Sequence, residues 1–300
     1  MKLHRLLVAA LSSVLAVGSV VGIGTTTAHA QEREQYYLSV GDSYAVGYQP
    51  NGDLTHGFAQ QLLPKAKKRG YDLTLVNVAC GGATTESILN RKGCSKDRRA
   101  VGAKSYYPLT QAQAAAQFLR RHRGEVALVT ISIGGNDITA CGRGVPDPIQ
   151  CVIDTVVGIN ENVTTLARDL RKAAGKRVRI VGTTYPDVLL GQWVREPVDQ
   201  TIAQLSVVAF RQFINPALKS AYSGADGEFV DVTRATGAYG PLDDLVTLPP
   251  YGQIPAPVAE VCRLTWFCQK GDIHARTKGY GVIADLIAKR LPRKSAPGNG

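Results

Sequence analysis

The chain has 300 residues with 35 Lys and Arg against 24 Asp and Glu, giving a net charge of +11, and 44% of its residues are hydrophobic. That is enough for one large α/β domain with a full core. The charge comes without a nucleic-acid-binding module or an aromatic-rich basic sheet motif, so nucleic acid is excluded as the expected partner; the basic runs around 65–69, 96–99 and 120–123 read as a solvated face or as attraction to anionic lipid or cell-wall polymer.

Residues 1–30 carry Lys2 and Arg5, an apolar run from Leu6 to Ile23 and a small-x-small site at Ala28-His29-Ala30. This is the pattern of a secretory signal peptide cleaved near Ala30, with an uncleaved anchor as the alternative. Losing those two charges takes the net charge from +11 to +9 for residues 31–300, which are expected to form one domain. No second apolar segment is long enough to span a membrane.

Tyr36 to Val40 is an uncharged, strand-favouring run that meets Gly41 and then presents Asp42 and Ser43. A serine at the carboxyl end of a strand in a parallel sheet is well placed for a nucleophile; alternatively, Asp42 or Ser43 only caps a helix. A helix is predicted over Thr55 to Arg69 with Gly70 as its cap, and a strand over Asp72 to Val78 that delivers Gly81 and Gly82 to the same edge. A second helix, Leu109 to Arg123, precedes Glu125 to Ile133, the strongest strand, which ends in Gly134-Gly135-Asn136-Asp137. Helical spacing covers Pro148 to Gly175, a fourth strand Arg177 to Val181, another long helix Pro197 to Tyr222, and a fifth strand Glu228 to Val232.

Residues 233–270 break this alternation with Gly, Pro and aromatics and read as one long loop, either functional or decorative. Its apolar residues between 245 and 267 suggest a wall for an acyl group. The last helix, Thr277 to Leu291, follows His274, and the tail from Pro292 is expected to fray. Strand and helix alternate elsewhere, which predicts a roughly five-stranded parallel sheet covered on both faces.

Cys80, Cys94, Cys141, Cys151, Cys262 and Cys268 all lie in the exported part, favouring disulfides. Of the fifteen possible pairings, 80–94, 141–151 and 262–268 are the economical set, since each closes one inter-element loop. A zinc site is the alternative, disfavoured by the absence of C-x-x-C spacing. No metal or cofactor is expected.

Three strand ends and the loop before the last helix thus offer Ser43, Gly82, Asn136 and His274: a hydroxyl, an N–H, an amide and an imidazole, the groups acyl transfer requires. On Gly41-Asp42-Ser43, Asn77 to Thr85 and Gly134-Gly135-Asn136-Asp137, in that order and spacing, most of the chain resembles the SGNH hydrolases, or GDSL esterases and lipases. The resemblance implies a three-layer α/β/α sandwich of flavodoxin-like topology, with Ser43 as nucleophile and His274 as base. It implies an oxyanion hole from the N–H of Ser43, the N–H of Gly82 and the amide of Asn136. The three-disulfide layout resembles secreted actinobacterial members.

Two positions depart from the family pattern. Tyr44 stands where the family name has leucine, which should alter packing beside the nucleophile rather than chemistry. Gly271 occupies the usual position of the acid, three before His274, so the imidazole is oriented either by Asp272 or by the Gly271 carbonyl. The expected function is a secreted, monomeric serine esterase or lipase acting on lipid or other small-molecule esters. An O-acyl esterase or acyltransferase acting on cell-wall glycans is the second reading, and a non-catalytic binding protein on the same fold the third. Gly41 to Ala45 also approximates the G-x-S-x-G elbow of α/β-hydrolases, but Ser43 follows the first strand, too early for that fold.

Overall fold

A computed structural model describes residues 35–142, 145–196 and 198–294. The expected leader over residues 1–30 lies outside the described residues, as does Pro197 at the start of one expected helix. Five parallel strands, β1 (Gln35–Gly41), β2 (Leu73–Asn77), β3 (Val126–Ser132), β4 (Arg179–Thr183) and β5 (Glu228–Val230), lie in the order β2-β1-β3-β4-β5. β2, β3 and β5 fall inside expected strands; β1 extends one residue beyond each end of Tyr36–Val40, and β4 is shifted two residues past the expected Arg177–Val181.

The helices between them are α1 (Ser43–Val46), α2 (Phe58–Lys67), α3 (Thr85–Asn90), α4 (Gln111–Arg121), α5 (Gly135–Thr139), α6 (Pro148–Ala174), α7 (Gln200–Ala209) and α8 (Asn215–Ser223). After β5 come α9 (Val232–Ala235), α10 (Ala256–Leu264), α11 (Phe267–Lys270) and α12 (Thr277–Ala288). Because successive strand side chains point to opposite faces, the sheet feeds two cores. Leu38, Val40, Val129, Ile131 and Ile180 pack against α3, α4, α6 and α8. Tyr37, Leu128 and Val181 pack against α1, α2 and α12 on the other face. This is the three-layer α/β/α sandwich.

The structure corrects three expectations. Residues 233–270 are not one loop: they hold an antiparallel hairpin of Leu245–Leu248 with Gly252–Pro255, together with α10 and α11, around a small core of Leu190, Ile254, Val258 and Val261. The helix expected over 197–222 is interrupted by a π-helical turn, Phe210–Ile214, between α7 and α8. The chain just past Pro292 is held, with the Lys294 N–H donating to the Arg69 carbonyl at 3.0 Å and its ammonium to the Gln35 side chain at 2.8 Å.

The three expected disulfides are formed: Cys80–Cys94, Cys141–Cys151 and Cys262–Cys268. No cysteine remains as a thiolate ligand. Among the described residues no cluster of His, Cys, Asp or Glu is built to hold a metal ion, and no helix is long and apolar enough to cross a membrane. The chain reverses its direction of sheet growth at β1, with β2 on one side and β3 on the other. Ligands bind at such a switch point, outside the carboxyl ends of the strands.

Candidate active site

β1 ends at this switch. Its last residue pairs with Ser132 of β3, and Gly41 has φ +142°; a Cβ there would fall 2.0 Å from the Ser132 carbonyl oxygen, so only glycine lets the two strand ends lie together. Asp42, rather than Ser43, caps α1: its Oδ1 accepts the Tyr44 N–H at 2.9 Å. The Ser43 hydroxyl is thereby left for other partners.

Asp42 is buried, and its Oδ2 accepts the Tyr185 hydroxyl at 2.6 Å. Burial pushes its carboxyl up to about 6, against the lowering effect of the Tyr185 and Tyr44 hydrogen bonds and the nearby His274.

The short stretch between α11 and α12 reaches back across the switch point. His274 Nε2 lies 2.8 Å from Ser43 Oγ, and Nδ1 lies 2.7 Å from Asp272 Oδ1. The same Asp272 oxygen accepts the His274 backbone N–H at 2.9 Å, so one carboxylate fixes both the ring and its backbone. Burial raises the Asp272 carboxyl, but the two His274 hydrogen bonds, with the charges of His274 and Lys270, outweigh it and hold the group below the ordinary carboxylate value. Gly271 instead ends α11 in the left-handed region, at φ +68°, its N–H donating to the Phe267 carbonyl. In this geometry the imidazole is held by the Asp272 side chain.

The turn after β2 is stitched to the turn after β3. Asn136, on α5, donates its amide to the Ala83 carbonyl at 2.8 Å. Asp137 accepts the Thr85 N–H and, at 2.7 Å, the Thr85 hydroxyl, which in turn receives the Asn162 amide. Gly82, φ +74°, sits in that pinned turn, where the left-handed backbone favours glycine. Ser43 and Asn136 both line a cavity of about 610 Å³ whose other walls are mainly apolar, including Ile138, Val188, Ile202, Phe210 and Ile214. Gly82 does not line that cavity, but its neighbour Ala83 carries the carbonyl that Asn136 engages.

The apolar wall is therefore not where the sequence suggested. Of residues 245–267 only Phe267 reaches the cavity; its walls come from α5, α6, the 3₁₀ turn Val188–Trp193, α7 and the π-helical turn. Sequence reasoning also missed Tyr185 as the partner of Asp42. A signal existed, since Tyr185-Pro186 follows β4 at the same sheet edge.

A model of the GDSL-like lipase/acylhydrolase family matches residues 39–282. Among solved structures, the chain is similar to protein YXIM from Bacillus subtilis, at 14% identity and a TM-score of 0.50 over 86% of this chain and 55% of that one. It is also similar to an extracellular lipase from Streptomyces rimosus, at 18% identity and a TM-score of 0.48 over 85% and 98%. A third is phospholipase A1 from Streptomyces albidoflavus, at 17% identity and a TM-score of 0.43 over 76% and 94%. No curated protein matches the sequence. With the family match spanning nearly the whole sheet, from Ser39 in β1 to α12, the chain belongs to the GDSL-like lipase/acylhydrolase family and is a carboxylic ester hydrolase.

Proposed function

We propose that residues 31–300 form a secreted serine esterase or lipase that cleaves esters of apolar acyl chains through an acyl-enzyme on Ser43. The observation that carries this reading is the continuous line from Asp272 to His274 to Ser43, at 2.7 and 2.8 Å. A hydroxyl is a weak nucleophile until an adjacent base takes its proton, and the base needs its other ring nitrogen held by an acceptor. His274 Nε2 accepts the Ser43 proton as Oγ attacks the ester carbonyl, and Asp272 stabilises the imidazolium. The N–H groups of Ser43 and Gly82 and the Asn136 amide hold the oxyanion. The imidazolium then protonates the departing alcohol. Water, deprotonated by the same ring, releases the acyl group and restores Ser43.

The apolar cavity beside Ser43 supports an acyl chain rather than an acetyl group on a glycan as the part held there. Export is supported by three disulfides and by the leader-like residues 1–30. The test is Ser43→Ala, assayed on a series of p-nitrophenyl esters: turnover is expected to fall by several orders of magnitude with the melting temperature unchanged. Activity retained in that variant would exclude Ser43 as the nucleophile.

A further inference from the structure

The hydrogen-bond ladder between β1 and β3 closes with the Asp42 N–H, which donates to the Ser132 carbonyl at 3.0 Å. Beyond it the chain carries Ser43 on α1 and Asn136 on α5, two of the donors assigned to the oxyanion. A side chain reached from a third strand joins them. Tyr185 follows β4 by two residues, and its hydroxyl donates to Asp42 Oδ2 at 2.6 Å while accepting the Gly135 N–H. Gly135 opens α5, whose N-cap, Gly134, makes no side-chain capping bond, so the tyrosine oxygen takes an N–H that the helix itself leaves unpaired. The ring sets a spacing as well. A Cβ on Gly135 would fall 3.0 Å from Tyr185 Cζ, so the start of α5 lies directly on the ring, and Tyr44, the residue after Ser43, meets the same ring edge-on at 4.9 Å. Tyr185 is buried and is anchored away from both turns: its carbonyl accepts the Thr233 hydroxyl at 2.8 Å, and the preceding Thr184 hydroxyl donates to Asn215 at 2.8 Å.

A side-chain amide has two N–H donors, and Asn136 commits one to the Ala83 carbonyl at 2.8 Å, leaving the other for the oxyanion. Such a donor works only when it is already at hydrogen-bond distance from where the charge develops. Gly135 immediately precedes Asn136 and Asp42 immediately precedes Ser43, so whatever holds Gly135 to Asp42 also holds one donor to the other. We propose that Tyr185 is a positioning residue for the oxyanion hole, its hydroxyl setting the separation of the Ser43 N–H and the Asn136 amide by bridging Asp42 and Gly135. This rests on the reading of Ser43 and Asn136 given above. A tyrosine that only satisfied the buried Asp42 carboxyl would lower stability when lost and leave kcat per folded site unchanged.

The test is a double-mutant cycle on p-nitrophenyl butyrate, with the unmodified chain, Tyr185→Phe, Asn136→Ala and the double variant. Active sites are counted from the p-nitrophenol released on complete reaction with a p-nitrophenyl alkylphosphonate, so unfolded molecules do not enter the rate. Phenylalanine keeps the ring against Gly135 and Tyr44. In Tyr185→Phe, kcat is expected to fall roughly 10–50-fold with KM within about twofold, since a donor displaced by about 1 Å or less weakens the transition state more than substrate binding. In the Asn136→Ala background the same change should cost less than about threefold, because the donor it positions is gone. Gly135→Ala, which forces the same turn off the ring, should repeat that pattern, and a loss additive with Asn136→Ala there counts equally against the proposal. Equal losses from Tyr185→Phe in both backgrounds, or an unchanged kcat per site, overturn the inference and leave the esterase reading intact. So does a cost of under about tenfold for Asn136→Ala alone, which takes that amide out of the hole. Hydrolysis that survives Ser43→Ala overturns both.

Discussion

The Tyr44 hydroxyl donates to the Ile273 carbonyl at 2.6 Å, joining the residue after Ser43 to the residue before His274. The Tyr44 ring also lies along the imidazole, with centroids 5.8 Å apart, and is met edge-on by Tyr185 and Tyr280. Leucine could fill this volume but could not reach that carbonyl. The substitution that was expected to alter only packing therefore ties the His274 segment to the Ser43 turn.

Tyr44→Phe keeps the ring and removes the tie. Its cost in stability should be about 1 kcal/mol, the net value of one hydrogen bond. The larger effect should be on kcat, falling roughly 10–100-fold with KM nearly unchanged, because a misplaced base slows chemistry more than binding. Kinetics on one soluble ester would check this. An unchanged kcat would mean the segment is held without the hydroxyl.

Asp272→Asn tests how the imidazole is oriented. The amide can either accept from the ring or donate to it, and it cannot stabilise an imidazolium as a carboxylate does, so kcat should fall about 10⁴-fold. A loss below about tenfold would hand the orienting role to a backbone carbonyl. Because the Asp272 carboxyl is held below its ordinary value, its stabilising contribution is present above that value and is lost as pH falls through the folded pKa.

Asp187 should act in the opposite sense. It is fully buried, one oxygen accepts the Ser206 hydroxyl at 2.9 Å, and burial pushes its carboxyl from 3.8 up to about 7. A group whose pKa is raised on folding contributes stability that is present below pH ~4 and lost as pH rises through about 7. Asp42, raised to about 6, adds to the same decline. Urea denaturation from pH 5 to 8 should therefore show stability falling, and Asp187→Asn should flatten the upper part of that fall, by about 2–4 kcal/mol. An identical slope in the variant would assign the decline to other groups.

What the sequence made legible was local. The five strands stand out as short runs rich in apolar and β-branched residues, and Gly-Asp-Ser and Gly-Gly-Asn-Asp lie at the ends of two of them. Asp42 and Tyr185 could not be paired that way, being 143 residues apart and joined only by the sheet. The hairpin at 245–255 escaped because its two strands have four residues each and Leu245 points outward, so no alternation marks a buried face. Periodicity over 197–222 was right in kind but blind to the turn at 210–214, where one wider turn re-aims Phe210 and Ile214 into the cavity.

That cavity sets a length limit that can be read kinetically. At roughly 30 Å³ per heavy-atom group, taking the volume of one water in the liquid as the unit, 610 Å³ corresponds to on the order of twenty such groups. Each methylene buried is worth about 0.8 kcal/mol, so kcat/KM should climb about fourfold per added carbon and level off before the acyl chain reaches ~20 carbons. Ile202 of α7 lines the wall and is half-buried, so a larger side chain there can be accommodated with less strain than in the closed core. Ile202→Trp introduces about six extra heavy atoms, and the plateau should move down by several carbons. The ratio of kcat/KM for dodecanoate over butyrate esters should then fall at least tenfold. A plateau unmoved in this variant, with the protein folded, would show that the acyl chain does not run along α7, and the acyl half would have to be placed elsewhere along the switch point.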